Sequence, residues 1–218
     1  MLKVILLDAE GTFLQFKPSL GEIYKNLWNE YGVVINEKEI AKRFREEFKQ
    51  VFQKELGGVN LTSEKCKVGW KKVFLKVFKE YSEASFFEEV FIRAYQFFAK
   101  PDCVEIVPRF NEFVKEAKEH NFRLGVISNW DCRLYSVLEG HNLLKVFDAI
   151  FIGCEIGFLK PRLEIFESAL NFFKVQPKEV LMIGDSWEDD IEPAKKLGFK
   201  YFHIKDEFPS FEHLHNLI

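Results

Sequence analysis

Apolar positions change their spacing twice along this chain, and each change marks a different kind of structure. Residues 3 to 8 enclose the unbroken run Val4-Ile5-Leu6-Leu7, too short for a core helix and rich enough to be a strand buried on both faces. From Ser19 to about Phe98 the apolar residues recur every three to four positions instead, the period of amphipathic helices. Ser19 with Glu22, and Asn36 with Glu39, pair a capping side chain with an acid three residues on, which predicts helix starts at both places. Phe44, Phe48 and Phe52 then follow at four-residue spacing until Gly57-Gly58 breaks the pattern. Thr62 opens a third helix with Trp70, Phe74, Phe78 and Tyr81 on one stripe, and a fourth covers about Phe86 to Phe98. Stripes of this kind belong first to a core, so these aromatics are expected to pack rather than to line a ligand site.

Past Pro101-Asp102 the rhythm becomes an alternation of strand and helix. Helices are expected at 108–121, 131–145, 163–174 and 189–197, with strands at 123–128, 147–152, 180–183 and 200–204. Such alternation predicts an α/β fold, a Rossmann-like doubly wound parallel sheet with right-handed crossovers. Residues 1–15 and 100–218 would form this core, and residues 16–99 an α-helical cap domain inserted after the first strand.

Composition narrows the function classes. With 31 basic and 34 acidic residues and a net charge of −3, no basic field exists to attract nucleic acid or an anionic membrane. No apolar run reaches the roughly 18 residues of a membrane span. Cys66, Cys103, Cys132 and Cys154 are scattered without a Cys-x-x-Cys pair. That spacing points to free thiols in a reducing cytoplasm, with Cys132 and Cys154 as small buried hydrophobes. His120, His141, His203, His213 and His215 show no metal-ligand spacing and are assigned structural or surface places. A monomer or a homodimer fits the composition equally.

Four polar clusters interrupt this pattern, three of them directly after apolar strand-like runs. They are Asp8-Ala9-Glu10-Gly11-Thr12, Ser128-Asn129, Lys160-Pro161 and Gly184-Asp185 with Glu188, Asp189 and Asp190. The carboxyl ends of parallel strands are where open α/β sheets bind ligands. A carboxylate, a hydroxyl, an ammonium and a second acidic group converging there are the parts of metal-assisted phosphoryl chemistry. Gly11 and Gly184 would allow tight turns and close approach of backbone to ligand.

In order and placement these clusters resemble the four motifs of the haloacid dehalogenase superfamily, in the subfamily whose helical cap follows the first strand. Glu155-Ile156-Gly157 ahead of Lys160-Pro161, and Ile127-Ser128-Asn129-Trp130-Asp131-x-Arg133, fit the same resemblance. The resemblance implies an Mg²⁺-dependent phosphatase of a small phosphorylated metabolite. Asp8 would be the nucleophile that forms an aspartyl-phosphate. Thr12, Ser128, Asn129 and Lys160 would bind phosphate, with Ser128 and Lys160 also stabilising the transferring group. Asp8, the Glu10 main-chain carbonyl and Asp185 would hold the metal, joined by Asp190 or Asp189, which the sequence leaves open.

Glu10 departs from the pattern. Phosphatases of the superfamily carry Asp two residues after the nucleophile as acid and base, and glutamate moves the carboxyl by one methylene. Losses of roughly 10²-fold accompany displacements of that size. Two alternatives therefore stand beside the phosphatase: a catalytically weak or inactive relative that binds or regulates, and a metal-independent 2-haloacid dehalogenase. Against the dehalogenase, position 10 is acidic, where those enzymes have Tyr, and would repel a haloacid anion. Gly57-Gly58 and the basic Lys42, Arg43 and Arg45 are the candidates for specificity in the inserted helices.

Overall fold

The computed structural model describes residues 1–214, so His215 lies outside the described residues. The first half runs β1 (Val4–Leu7), β2 (Leu14–Phe16), α1 (Leu20–Asn29), α2 (Glu37–Phe48), α3 (Ser63–Val77), α4 (Phe87–Phe97) and β3 (Val104–Ile106). The second half alternates α5 (Phe110–Glu119), β4 (Arg123–Ser128), α6 (Arg133–Gly140), β5 (Ala149–Ile152), α7 (Gly153–Ile156), α8 (Leu163–Phe173), β6 (Val180–Gly184), α9 (Glu192–Leu197) and β7 (Lys200–His203).

Five strands form one sheet in the order β5-β4-β1-β6-β7, every pair parallel. The two-residue repeat of β1 divides the core between the sheet's faces. Val4 and Leu6 pack with Phe166, Phe173 and Met182 beneath α8 and α9. Ile5 and Leu7 join Phe110, Phe113, Leu134 and Leu138 from α5 and α6, in a cluster that continues into the aromatic interior of α1–α4. Helices thus cover both faces, as a doubly wound sheet requires. Among the described residues no helix is long and apolar enough to cross a membrane.

The three expected caps form. Ser19 Oγ accepts from the Glu22 amide at 3.3 Å, Asn36 Oδ1 from Lys38 and Glu39 at 3.1 and 3.2 Å, and Thr62 Oγ1 from Lys65 at 3.3 Å. Other details differ from the pattern-based expectation. The antiparallel pair β2–β3 closes the base of the four inserted helices, and three-residue strands leave too little alternation to read. The helix expected to run on to Gly57-Gly58 does continue past Phe48, but as a π-helical turn over Lys49–Glu55. That turn stacks Phe48 on Phe52 at 4.8 Å and sets both against Trp70. α6 ends at Gly140 rather than near 145, with Asn142 in the left-handed region, and α9 is preceded by a second π-helical turn, Trp187–Ile191.

The cysteine expectation is overturned for one pair. Cys66 of α3 and Cys154 of α7 form a disulfide across 88 residues of sequence, their Cα atoms 6.1 Å apart. The two cysteines are far apart in sequence, and packing of two distant helices supplies the proximity. Cys154 therefore does not act as a free thiol, and thiol spacing no longer supports a reducing compartment. Cys103 is free and buried, and Cys132 is free but exposed rather than a buried hydrophobe. Around the disulfide the insertion is fastened to the segment that carries Lys160. Leu159 N–H donates to the Gly58 carbonyl at 3.1 Å, Leu61 N–H to Gly157 at 3.3 Å, and Arg162 Nη2 to Gly57 at 2.9 Å. Replacing both cysteines by serine is expected to lower stability by about 2–4 kcal/mol. Calorimetry of the two forms, with and without reductant, checks this.

Candidate active site

All four polar clusters meet at the carboxyl edge of the sheet. Asp8 follows β1, Ser128 ends β4, Lys160 lies beyond β5 and α7, and Asp185 follows β6. Lys160 is the centre of the arrangement and is only 3% exposed. Its ammonium donates to Asp8 Oδ1 at 2.5 Å and to Asp190 Oδ1 at 2.7 Å. The Thr12 hydroxyl lies 3.3 Å from both Asp8 Oδ2 and Asp185 Oδ1, bridging the first and last clusters. One carboxylate oxygen from each of Asp8, Asp185 and Asp190 falls within 4.8 Å of the others, a donor set that could hold a metal ion.

The loops are built to bring these groups together. Gly11 has φ +86°, and a Cβ there would meet the Asp185 carboxylate at 2.5 Å. A Cβ on Gly184 would meet the Asp190 carboxylate at 2.4 Å. Glycine at both positions is therefore a condition of the carboxylates' approach. The second π-helical turn decides between the adjacent aspartates. Asp190 turns inward, fully buried, and its Oδ2 accepts from the Ser186 amide at 3.1 Å. Asp189 turns toward the insertion, where Gln53 Nε2 lies 3.4 Å from its Oδ1.

Ser128 Oγ accepts from the Trp130 amide at 3.1 Å, so its own proton can point elsewhere. The Asn129 side chain has a task of its own. Its carboxamide is engaged with the Lys160 backbone, Oδ1 accepting from Lys160 N at 2.8 Å and Nδ2 donating to Lys160 O at 3.0 Å. It holds the lysine loop in register, leaving its main chain as the part able to face a ligand. His203 belongs to the surroundings too, because its Nε2 donates to the Asp185 carbonyl at 2.9 Å.

Burial lifts the Glu10 carboxyl to about 7, with Asp8 and Asp185 adding repulsion and Lys160 and Arg45 opposing it. Glu10 still has surface open to water in the cleft. Burial and Asp8 raise Asp185 to about 6. Burial also raises Asp190, against the pull of Lys160. Burial alone would lower Lys160, but Asp190 and Asp8 outweigh it and keep the ammonium charged. One cation thus faces an excess of carboxyl groups, which must share protons or take up a further cation.

Above these groups α1–α4 enclose a cavity of about 580 Å³ that opens onto Asp8, Glu10, Lys160 and Asp185. Several of the striped aromatics line it, so they serve both core and cleft. Asp131, Arg133 and Tyr95 form a cluster that hydrophobic pattern alone does not reveal. Arg133 Nε donates to Asp131 Oδ1 at 2.7 Å, and its guanidinium lies 3.9 Å from the centre of the Tyr95 ring.

A sheet of this order with these clusters at its edge defines a hydrolase class, and comparison with known proteins agrees. A family model for haloacid dehalogenase-like hydrolases matches residues 2–198, and the chain belongs to that family. It is 27% identical over 216 residues to an uncharacterized hydrolase of Schizosaccharomyces pombe, covering 95% of this chain and 93% of that one. A glyceraldehyde 3-phosphate phosphatase of Methanothermobacter thermautotrophicus is 28% identical over 113 residues, 50% of this chain and 48% of that one. Among solved structures, the HAD-hydrolase YfnB of Bacillus subtilis, bound to magnesium, superposes with a TM-score of 0.74 at 17% identity, covering 99% and 98% of the two chains. A HAD phosphatase of Thermococcus onnurineus gives 0.63 at 21% identity over 99% and 97%. An L-2-haloacid dehalogenase gives 0.73 at 20% identity over 94% and 85%. These structures share the fold.

Proposed function

We propose that this hydrolase is an Mg²⁺-dependent phosphatase of small phosphate monoesters, working through an aspartyl-phosphate on Asp8. The observation that carries the reading is the convergence of Asp8, Asp185 and Asp190 around Lys160, an anionic nest with one resident cation. The phosphatases among the similar proteins support it. All-oxygen carboxylate donors suit Mg²⁺, and Asp8, Asp185, Asp190 and the Glu10 carbonyl would hold it. Bound there, the ion would offset the repulsion between an anionic nucleophile and an anionic ester.

The residues then divide the work. Lys160 and the Ser128 hydroxyl bind the phosphoryl oxygens and stabilise the charge that they share in transfer. The Asp8 carboxylate attacks phosphorus while Glu10, carrying a proton near neutrality, gives it to the departing alcohol oxygen. Ionised Glu10 then takes a proton from water, whose oxygen attacks the phosphorus of the acyl phosphate and releases inorganic phosphate and Asp8. Burial, the main cause of the rise, favours the protonated form of Glu10 that can donate to the leaving oxygen. The inserted helices act as the cap that excludes bulk water from this exchange.

Steady-state hydrolysis of p-nitrophenyl phosphate tests the reading. Turnover is expected with Mg²⁺, to vanish with EDTA, and to fall about 10²- to 10⁴-fold in Glu10→Ala. Absence of turnover in all of these would favour the binding-protein alternative.

The raised carboxyls also set a pH dependence. A carboxyl whose folded pKa exceeds its unfolded value keeps a proton that the unfolded chain has released. Folding therefore becomes less favourable as pH rises from about 4, the ordinary value, through about 7. Mg²⁺ competes with those protons, so the rise in melting temperature that it causes is expected to grow between about pH 5.5 and pH 8. Thermal melts at several pH values, with Mg²⁺ and with EDTA, measure it. A Mg²⁺ effect independent of pH would count against the carboxylate site.

A further inference from the structure

The cavity is chemically two-sided. Its floor is the carboxylate and lysine cluster, but the walls that would surround the rest of a substrate are aromatic. Tyr24 of α1, Phe44 and Phe48 of α2, Trp70 and Phe74 of α3 and Tyr95 of α4 all line it. At about 580 Å³ it holds considerably more than a phosphoryl group and lies in the range of small-molecule pockets.

Two of the cations in the wall, Arg133 and Lys49, are already paired with carboxylates. Arg133 is buried, paired with Asp131 at 2.7 Å, and lies against the rings of Tyr95 and Trp70 at 3.9 and 5.5 Å. The Tyr95 hydroxyl itself donates to Asp131 Oδ2 at 3.1 Å. Lys49 pairs with Glu188 at 2.6 Å, while Arg45 is exposed, donates through Nε to the Ala41 carbonyl at 3.3 Å, and acts electrostatically on Glu10 at the floor. A polyhydroxylated group set against these rings would lose water without gaining partners, whereas a ring or branched chain there would lose apolar contact with water.

We propose that the substrate is a phosphate monoester of a bulky, largely apolar alcohol, its aromatic or branched portion seated against Phe44, Trp70 and Tyr95. This rests on the phosphatase reading and adds the class of leaving group. The bond broken is the ester P–O bond, the phosphoryl group passes to Asp8 and then to water, and the alcohol leaves with the Glu10 proton.

The test compares 3-phenylpropyl phosphate with glycerol 1-phosphate, two unactivated primary esters that differ in what the wall would touch. Both are assayed with Mg²⁺ against an Asp8→Asn background. kcat/KM is expected to favour the phenylpropyl ester by roughly 10- to 100-fold. That ratio is expected to shrink several-fold in Trp70→Leu and in Tyr95→Leu. Taking the ratio on a single preparation removes any loss of folded protein, and two variants guard against one that fails to fold. Turnover of both esters with a ratio near or below one, or a ratio that neither variant moves, overturns the inference and leaves the phosphatase standing. No turnover of either ester above background overturns both.

Discussion

Asp8→Asn is expected to abolish hydrolysis of phosphate monoesters, by roughly 10⁴-fold or more, while leaving the protein folded. Asparagine keeps the size of the side chain and its contact with Thr12, but a neutral carboxamide forms no acyl phosphate. Its effect on stability has two opposed parts. The variant loses the 2.5 Å pairing with Lys160, and it removes one of three carboxylates crowded within 4.8 Å. Lys160 keeps Asp190 as its partner at 2.7 Å, so the unfolding midpoint should move by only a few degrees. Two measurements separate the outcomes. Steady-state turnover reports the loss, and mass spectrometry of acid-quenched protein should show a phosphoryl adduct in the parent that the variant lacks. A parent that turns over esters without any adduct, or a variant that retains turnover, would remove Asp8 from the role of nucleophile.

How much of this could be read without coordinates depends on the range of the interactions involved. The buried strands and their carboxyl-end clusters were legible because each is local: an apolar run ends in a polar residue that a helix or turn follows. The caps at Ser19, Asn36 and Thr62 were legible for the same reason, since the capping oxygen and the amide that donates to it lie within three residues. The Cys66–Cys154 pairing was hidden because it joins positions 88 apart whose proximity is set only by how α3 packs on α7. The choice between Asp189 and Asp190 was hidden because it turns on a π-helical turn, which shifts the angular position of every side chain after it. The aromatic stripes were readable as helical faces but not as cavity walls. A face that packs on its neighbours and a face that lines an enclosed space have the same sequence period. Asn129 illustrates a subtler limit. Its place after β4 marks it as part of the site, yet what its carboxamide does depends on the Lys160 loop, brought alongside by the sheet order.

Lys160→Met should lower folding stability by about 3–5 kcal/mol near neutral pH, and should also remove activity. Methionine has nearly the shape of the lysine stem, so the change deletes charge more than volume. The lysine side chain is 3% exposed and that of Asp190 is 0% exposed. Without the ammonium, Asp190 keeps the Ser186 amide, and Asp8 keeps the Thr12 hydroxyl and its contact with the Asp185 carboxyl. Buried Asp190 left in that state must ionise at a cost or remain protonated, and its already raised pKa rises further. The loss should therefore be largest above about pH 7 and shrink in mild acid, as the carboxyls take up protons at little cost. Adding Asp190→Asn to Lys160→Met should restore part of the stability, because it removes the stranded charge rather than adding a contact. Mg²⁺ should restore part of it as well, by placing a cation among the same oxygens. Urea unfolding of the single and double variants across pH measures each of these. If the double variant were no more stable than the single one, uncompensated charge would not be what holds Lys160 in this site, and its role would reduce to packing.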